Sequence, residues 1–316
     1  AFKVLRERID KFGVTQPNIQ LLGNSGRILV ELPGAKDVDR IKKLLQSTAQ
    51  LEFWETYKIE EVGQYLMAVE EALKKTEVAV KAAPTKTTGI DSLLTDKADT
   101  TAAAGTSPFL GKMLAPGQQG APHVGTFATK DTAAINGYLK RADIKALLPA
   151  NLTNIRFAWG KTNEKNPDIT DLYALKGTRD NVAPLSGGVI VDAKDTFDQM
   201  GKPAVSMQMN GNGSRKWEQI TGAVSQQGNA IAIVLDNIVY SAPGVSKGAI
   251  TGGQSEISGN FTIDETKDLA NILRAGKLPA AAEIVQSEVV GPSLGQEAID
   301  NGMLSFVIGF ALVLLW

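Results

Sequence analysis

The chain has 316 residues, 43% hydrophobic and 21% charged, so collagen-like, coiled-coil and wholly disordered classes are excluded and the length suits about two structural units. Thirty-three basic residues against 34 acidic ones leave a net charge of −1, which predicts no nucleic-acid surface. With no cysteine and one histidine, His123, disulfide scaffolds, thiolate catalysis, serine triads and multi-histidine or Cys-bound metal sites all lack partners, so no catalytic residue, metal or cofactor is expected.

The N-terminal stretch, which begins without methionine and reads as cut from a longer chain, carries Phe2, Leu5, Ile9 and Phe12 at helical spacing and stops at Gly13. Residues 18–22 and 27–32 flank the turn Gly23-Asn24-Ser25-Gly26 and predict a hairpin. A helix from Asp37 presents Val38, Ile41, Leu44 and Leu45, and a strand follows over 49–55. The order αββαβ is that of a ferredoxin-like sandwich lacking its first strand. Residues 282–290 (AEIVQSEVV) are the local candidate for a strand returning to that sheet.

Residues 58–75 predict a helix with Leu66, Val69 and Leu73 on one face. From 76 to 130 the composition turns to Ala, Thr, Lys, Gly and Pro, which predicts a solvated, flexible insertion around one or two short helices. His123 falls there as a loop residue rather than a ligand. Order returns from Lys140 onward, with 148–160 (LPANLTNIRFAWG) and 171–177 (DLYALKG) reading as short strands. Then come a strand over 204–209, a helix from Ser214 with Trp217, Ile220 and Val224 on one face, and a hairpin of 230–235 and 238–241 around Asp236-Asn237. Thr262 with Glu265 forms a capping box for a helix that ends at Arg274, Gly276 and Pro279.

Two glycine-rich motifs are weighed and set aside. Gly291-Pro292-Ser293-Leu294-Gly295 satisfies G-x-S-x-G, but no histidine follows Ser293, so the nucleophile-elbow reading fails. The alternative is a joint, with Gly291 and Gly295 free in φ and Pro292 fixed. Gly211-Asn212-Gly213-Ser214 does not fit a phosphate loop and reads as the turn and N-cap of the following helix. After Asp300 the run MLSFVIGFALVLLW is apolar and uncharged, the expected start of a transmembrane helix. Its flank has no Lys or Arg after Lys277, which predicts that the globular part lies outside the cytoplasm.

The blocks LRERIDKFGVTQPNIQ, RILVELPG, AQLEFWE, AIAIVLDNIVYSAPGVSKGAITGGQSEISGNFT and LANILRAGKLPAAAEIVQSEVVGPSLGQEAIDNG together resemble the SecD family of bacterial protein-export membrane components, including fused SecDF, over about half the chain. The resemblance implies an α+β fold: a ferredoxin-like base with a large inserted α+β head, followed by the start of a transmembrane helix. Residues 1–57 would be the first part of the base, 58–275 the head, 276–298 the returning strand and junction, and 299–316 the truncated helix. Gly276 and Pro279 are then the candidate hinge, and Gly291, Pro292 and Gly295 the base–membrane junction. The implied partners are the Sec translocation channel, SecF, unfolded preprotein and the lipid bilayer. The implied place is the periplasmic side of the bacterial inner membrane, and the implied role is preprotein contact with movement driven by the proton-motive force. Asp236-Asn237 stands where the family usually has Asp-Gly, and no Asp-Ala-Asn-Val-type transmembrane motif lies in these residues, so the chain alone should transport nothing. Two other functions are open to the sequence: a porter domain of an efflux pump, which should hold two ferredoxin-like units and lack GPSLG, and an extracytoplasmic enzyme, disfavoured by the missing acid–base partners.

Overall fold

The structure is a computed structural model that describes residues 2–10, 16–23, 25–35, 37–82, 107–162, 166–246, 248–259, 261–276, 278, 282–289, 302–308 and 310. It is an α+β chain in which residues 1–281 form one compact unit and residues 282–316 a second.

Helix α1 (Phe2–Asp10) leads into strands β1 (Asn18–Leu22) and β2 (Arg27–Glu31), which pair antiparallel as a two-stranded sheet of their own. Helix α2 (Val38–Gln46) is N-capped by Asp37, whose side chain accepts from the Arg40 amide. Strand β3 (Leu51–Thr56) follows, then the long helix α3 (Ile59–Ala82). Beyond it lie β4 (Met113–Pro116), β5 (Gly125–Ala128), α4 (Thr132–Lys140), the short α5 (Ala142–Lys145), β6 (Ile155–Gly160), β7 (Ile169–Lys176) and β8 (Leu185–Ser186). Strands β9 (Ile190–Phe197) and β10 (Pro203–Met209) precede α6 (Gly211–Gln227). The chain then runs through β11 (Ile231–Leu235), β12 (Ile238–Ser241), β13 (Gln254–Ile257) and α7 (Ile263–Ala275).

Eight strands join in the order β4-β5-β7-β6-β12-β11-β3-β8, and β7 also pairs with β3, so β7, β6, β12, β11 and β3 close a ring. Each ring strand sends a residue into one cluster: Trp54, Ala158, Leu175, Ala232 with Val234, and Val239. Trp54 is fully buried there; its Nε1 donates to Glu52, and the Arg156 guanidinium lies 4.9 Å from its ring centroid. The opposite faces of the same strands carry two larger cores. Phe53 packs edge-on to Trp217 among residues of α6, α7 and the three-stranded sheet β13-β10-β9. Val62, Leu66 and Val69 of α3 pack with Phe109, Phe127 and Ile135.

Strand β3 was expected in the base sheet, yet it pairs with β11, β7 and β8. The physical reason is two-sided burial. Leu51 and Phe53 face one core while Trp54 faces the ring, and a strand apolar on both faces belongs inside a sheet covered on both sides. Hairpin β1–β2 has one apolar face, Ile19 and Leu21 opposite Val30 and Ile28. The expected returning strand at 282–290 is also corrected. Residues 282–289 form no strand, and Val285 and Val289 are exposed. With Glu283, Gln286, Ser287 and Glu288 interspersed, neither alternate face of that segment is uniformly apolar. Among the described residues the assembled ferredoxin-like sheet is therefore not seen.

The Ala/Thr-rich insertion is corrected in its second half. Phe109, Val124 and Phe127 are fully buried, and β4 and β5 extend the large sheet; residues 83–106 lie outside the described residues. Glu70 of α3 accepts the Phe109 and Leu110 amides at 3.0 and 2.9 Å, which fixes where the chain re-enters the core. Helix α6 also starts earlier than expected, because Asn210 rather than Ser214 is its N-cap, accepting from the Gly213 amide at 2.8 Å. Glycine is needed at 213, since a Cβ there would stand 2.6 Å from Val189 Cβ. Gly213→Ala is expected to destabilise the unit by about 1–3 kcal/mol through overpacking, visible as a lower urea midpoint at unchanged slope. In contrast, the Asp236-Asn237 turn has φ of +49° and +70° as a type I′ hairpin requires. Thr262 and Glu265 likewise close both arms of the capping box of α7.

Residues 302–308 are helical and exposed, with the Phe306 and Phe310 rings stacked at 6.3 Å. Among the described residues no helix is long and apolar enough to cross a membrane; the expectation was only the start of such a helix, and residues 299–301, 309 and 311–316 of that segment lie outside the described residues.

Candidate functional site

A cavity of about 290 Å³ opens between α6, β10–β13, β11 and the connection from β12 to β13. Its floor is apolar: Met207 from β10, Trp217 from α6, and Ile231 and Ile233 from β11. One wall is Pro243, Gly244 and Val245 with Ala249 and Ile250, and the rim carries Ser246, Ser255, Glu256 and Ser258. Period-2 alternation in β10 and β11 places these side chains on one face, and the apolar stripe of α6 brings Trp217 over them. Such a surface takes an apolar side chain and presents hydroxyls and one carboxylate at its edge. Among the described residues that line it there is no acid–base pair, and among the described residues no group of His, Asp and Glu is placed to hold a metal.

A second hollow, about 400 Å³, lies at the end of α2 against the β11–β12 turn and α7, lined by Leu44, Ser47, Asp236, Tyr240 and Ile272. Its chemistry is already spent internally. The Asp236 carboxylate accepts from Ser47 Oγ at 2.7 Å, from Thr48 Oγ1, and from the Ala49 and Gln50 amides at 3.3 and 3.0 Å. Desolvation raises its pKa, but the bonds from Thr48, Ser47, Gln50 and Ala49 outweigh it and hold the carboxyl below its ordinary value. Beside it, Arg8 of α1 is 1% exposed and donates to Leu44 O at 2.9 Å, Ser47 O at 2.6 Å and Gly276 O at 3.3 Å. The carbonyl ends of α2 and α7 thus converge on one guanidinium, a favourable place for a cation. Burial lowers the Arg8 pKa, and the Asp236 charge works against that shift.

Of the residues singled out in the sequence, Gly276 sits at this junction with φ +79°, its amide bonded to Ile272 O. Pro279, Gly291, Pro292, Gly295 and Ser293 lie outside the described residues. His123 lies in a bend, its ring 6.2 Å from that of Tyr173. The sequence did not single out the cavity or Arg8. Arg8 had a signal: it falls three residues after Leu5 and beside Ile9, on the face of α1 that turns inward. The cavity had none, because its walls come from elements distant along the chain.

Comparison with known proteins places these features. A family model described as the SecDF P1 head subdomain matches residues 172–280, and one described as the N-terminal part of the P1 domain of protein translocase subunit SecDF matches residues 1–58. The first model spans the whole of the 290 Å³ cavity, and the second ends just after β3. The protein translocase subunit SecD of Rhodothermus marinus is 37% identical over all of this chain, which covers 50% of that protein. SecD of Desulfurispirillum indicum is 32% identical, again over all of this chain and 45% of the relative. SecDF of Thermus thermophilus is 40% identical over 42% of this chain and 17% of its own length. Among solved structures, SecDF in its super-membrane-facing form matches 99% of this chain and 31% of that one, at 27% identity and a TM-score of 0.48. The chain spans about half the length of the curated SecD relatives it matches. With both P1 models matching in order and SecD relatives aligned from end to end, the chain belongs to the SecD/SecDF family of protein translocase subunits and corresponds to its first periplasmic domain.

Proposed function

We propose that this chain is the extracytoplasmic part of a Sec accessory subunit, and that its 290 Å³ cavity takes apolar side chains of an extended, unfolded preprotein during export. The observation that carries this role is the cavity itself: an apolar floor of Met207, Trp217, Ile231 and Ile233 beneath a polar rim of Ser246, Ser255, Glu256 and Ser258. Capture of an unfolded chain calls for apolar pockets and a polar rim rather than reactive groups. The volume lies near the lower end of the roughly 300–1,000 Å³ of ligand sites, which suits one side chain at a time and therefore weak, releasable contact.

In this role the chain works beside the Sec channel and SecF, held at the bilayer through the apolar segment after Asp300, with the proton-motive force acting on parts of the subunit beyond these residues. Strand β3 is bonded to β11, β7 and β8, so the 55–58 connection cannot turn without breaking that ladder, and the rotation of the head that accompanies each cycle occurs about the 276–279 connection. That rotation has a definite cost at Gly276, because Arg8 holds its carbonyl and the Leu278 amide donates to Thr48 O at 2.9 Å.

The test is site-specific photo-crosslinking in the full-length subunit, with a benzophenone amino acid at Ser246 on the cavity rim. An adduct with a translocation-arrested preprotein is expected, and filling the cavity with Ser255→Trp should abolish it. An adduct of equal yield in the filled variant would overturn the assignment.

A further inference from the structure

The cavity has walls of two kinds. Strands β10, β11 and β13 and helix α6 are each held by their own ladders, whereas residues 248–253 belong to no helix or strand. The connection is tied into the sheets near each end. Pro243 O accepts the Ile231 amide at 3.0 Å, and Gly253 O accepts the Met209 amide at 2.8 Å. Between those anchors two side-chain hydroxyls of α6 hold it: Ser225 Oγ accepts the Gly248 amide at 3.1 Å, and Thr221 Oγ1 accepts the Ile250 amide at 2.9 Å. Thr221 and Ser225 are four residues apart and share one face of the helix. The Thr221 hydroxyl is fully buried and donates to Trp217 O at 2.7 Å, which aims its lone pair at Ile250.

Beside these hydroxyls the helix surface is bare. A Cβ at Gly222 would stand 3.3 Å from Ala249 Cβ, so glycine lets the connection settle against α6. The bends at the ends of the segment are glycines with φ of +82° at Gly248, +78° at Gly252 and +69° at Gly253. Glycine there absorbs large φ/ψ changes without a Cβ penalty. Ala249 and Ile250 line the cavity from this wall, and Ile250 packs against the main core. With the wall seated, the space of about 290 Å³ takes a single side chain, while an extended segment needs more.

We infer that residues 248–253 form a strap over the cavity, seated on Thr221, Gly222 and Ser225, which lifts from α6 to admit an apolar chain segment and reseats over it. This rests on the assignment of the cavity as the apolar-segment site. It adds the step that controls entry and release: a seated strap slows both, and a lifted one speeds both.

The absence of native cysteine allows the strap to be locked. The Gly222-to-Ala249 Cβ separation of 3.3 Å is close to the roughly 3.5–4.5 Å that a disulfide spans. In the full chain carrying Gly222→Cys and Ala249→Cys, binding of a short dansyl-labelled peptide with a central Leu-Val-Leu is followed by stopped-flow anisotropy, oxidised and then reduced. The association rate should fall by roughly tenfold or more in the oxidised form, as expected when a conformational step gates binding, and recover on reduction. Gly222→Val, which wedges the strap away from α6 without a cross-link, should raise association and dissociation rates together. Ser255→Trp separates the two claims. If it abolishes peptide binding while the verified cross-link leaves the association rate unchanged, the cavity assignment stands and the strap is overturned. If the filled variant binds as well as the parent, the cavity assignment falls and the strap falls with it.

Discussion

Asp236→Ala is expected to remove about 3 kcal/mol of folding free energy at neutral pH, since hydrogen bonds to an ionised group contribute about 1.5–3 kcal/mol and orphaned buried donors add a penalty. The carboxylate sits on the β11–β12 turn and gathers the Ser47 and Thr48 hydroxyls with the Ala49 and Gln50 amides, so it joins the end of α2 to the start of β3. Burial raises its pKa, and those bonds lower it further than burial raises it, leaving the folded value below the unfolded one. A carboxyl depressed in the folded state contributes stability that is fully present above its unfolded pKa of about 3.9 and is lost as the pH falls through the lower, folded value. The parent chain should therefore shed this contribution on acidification below about pH 4, whereas the Ala variant, having none to lose, should show a flatter profile there. Asp236→Asn should fall between the two. Asparagine tolerates the positive φ of +49° at this turn, but its amide turns a donor toward Ser47 and Ala49. Denaturant titrations of the three proteins at several pH values decide the matter, and a neutral-pH loss under about 0.5 kcal/mol, the ordinary range of surface changes, would refute the role given to Asp236.

What could be read in the sequence was whatever a short stretch specifies by itself. The β11–β12 hairpin and the capping box of α7 are set by two to four neighbouring residues, and both appear where expected. The family resemblance rested on contiguous blocks, and the central one, residues 230–262, builds β11, β12, the 248–253 wall and β13. What failed was partner choice. Nothing local in LEFWET says whether it joins the β1–β2 hairpin or a ring with β11 and β7; that depends on Trp54 finding Ala158, Leu175, Ala232, Val234 and Val239 from four other strands. Composition misled at 107–130 for the same reason, because Phe109, Val124 and Phe127 are few among Ala, Thr and Gly yet fully buried. The cavity was invisible in principle, since Met207, Trp217, Ile231 and Ile250 acquire a common surface only after four separate elements pack.

Arg8→Met is expected to cost about 2–3 kcal/mol, because three partly buried carbonyls lose a charged donor while the volume is largely retained. The guanidinium stays ionised at any pH of interest, so the loss should be independent of pH, unlike that at Asp236. Its distribution within the molecule is the informative part. Arg8 bridges Leu44 O and Ser47 O at the end of α2 to Gly276 O at the end of α7, and the Leu278 amide to Thr48 O is the next bond along the same seam. If rotation of the head takes place at Gly276, Arg8 is the group that must let go first. Its removal should then accelerate amide hydrogen exchange at Gly276 and Leu278 by more than the global loss of stability accounts for, with β11 and α6 following the global value. Arg8→Lys, with one cationic head in place of a planar fork, reaches fewer of the three carbonyls and should give a smaller local effect. Exchange at Gly276 and Leu278 that rises only in step with the rest of the unit would make Arg8 a general core group and would place any head rotation at some other joint.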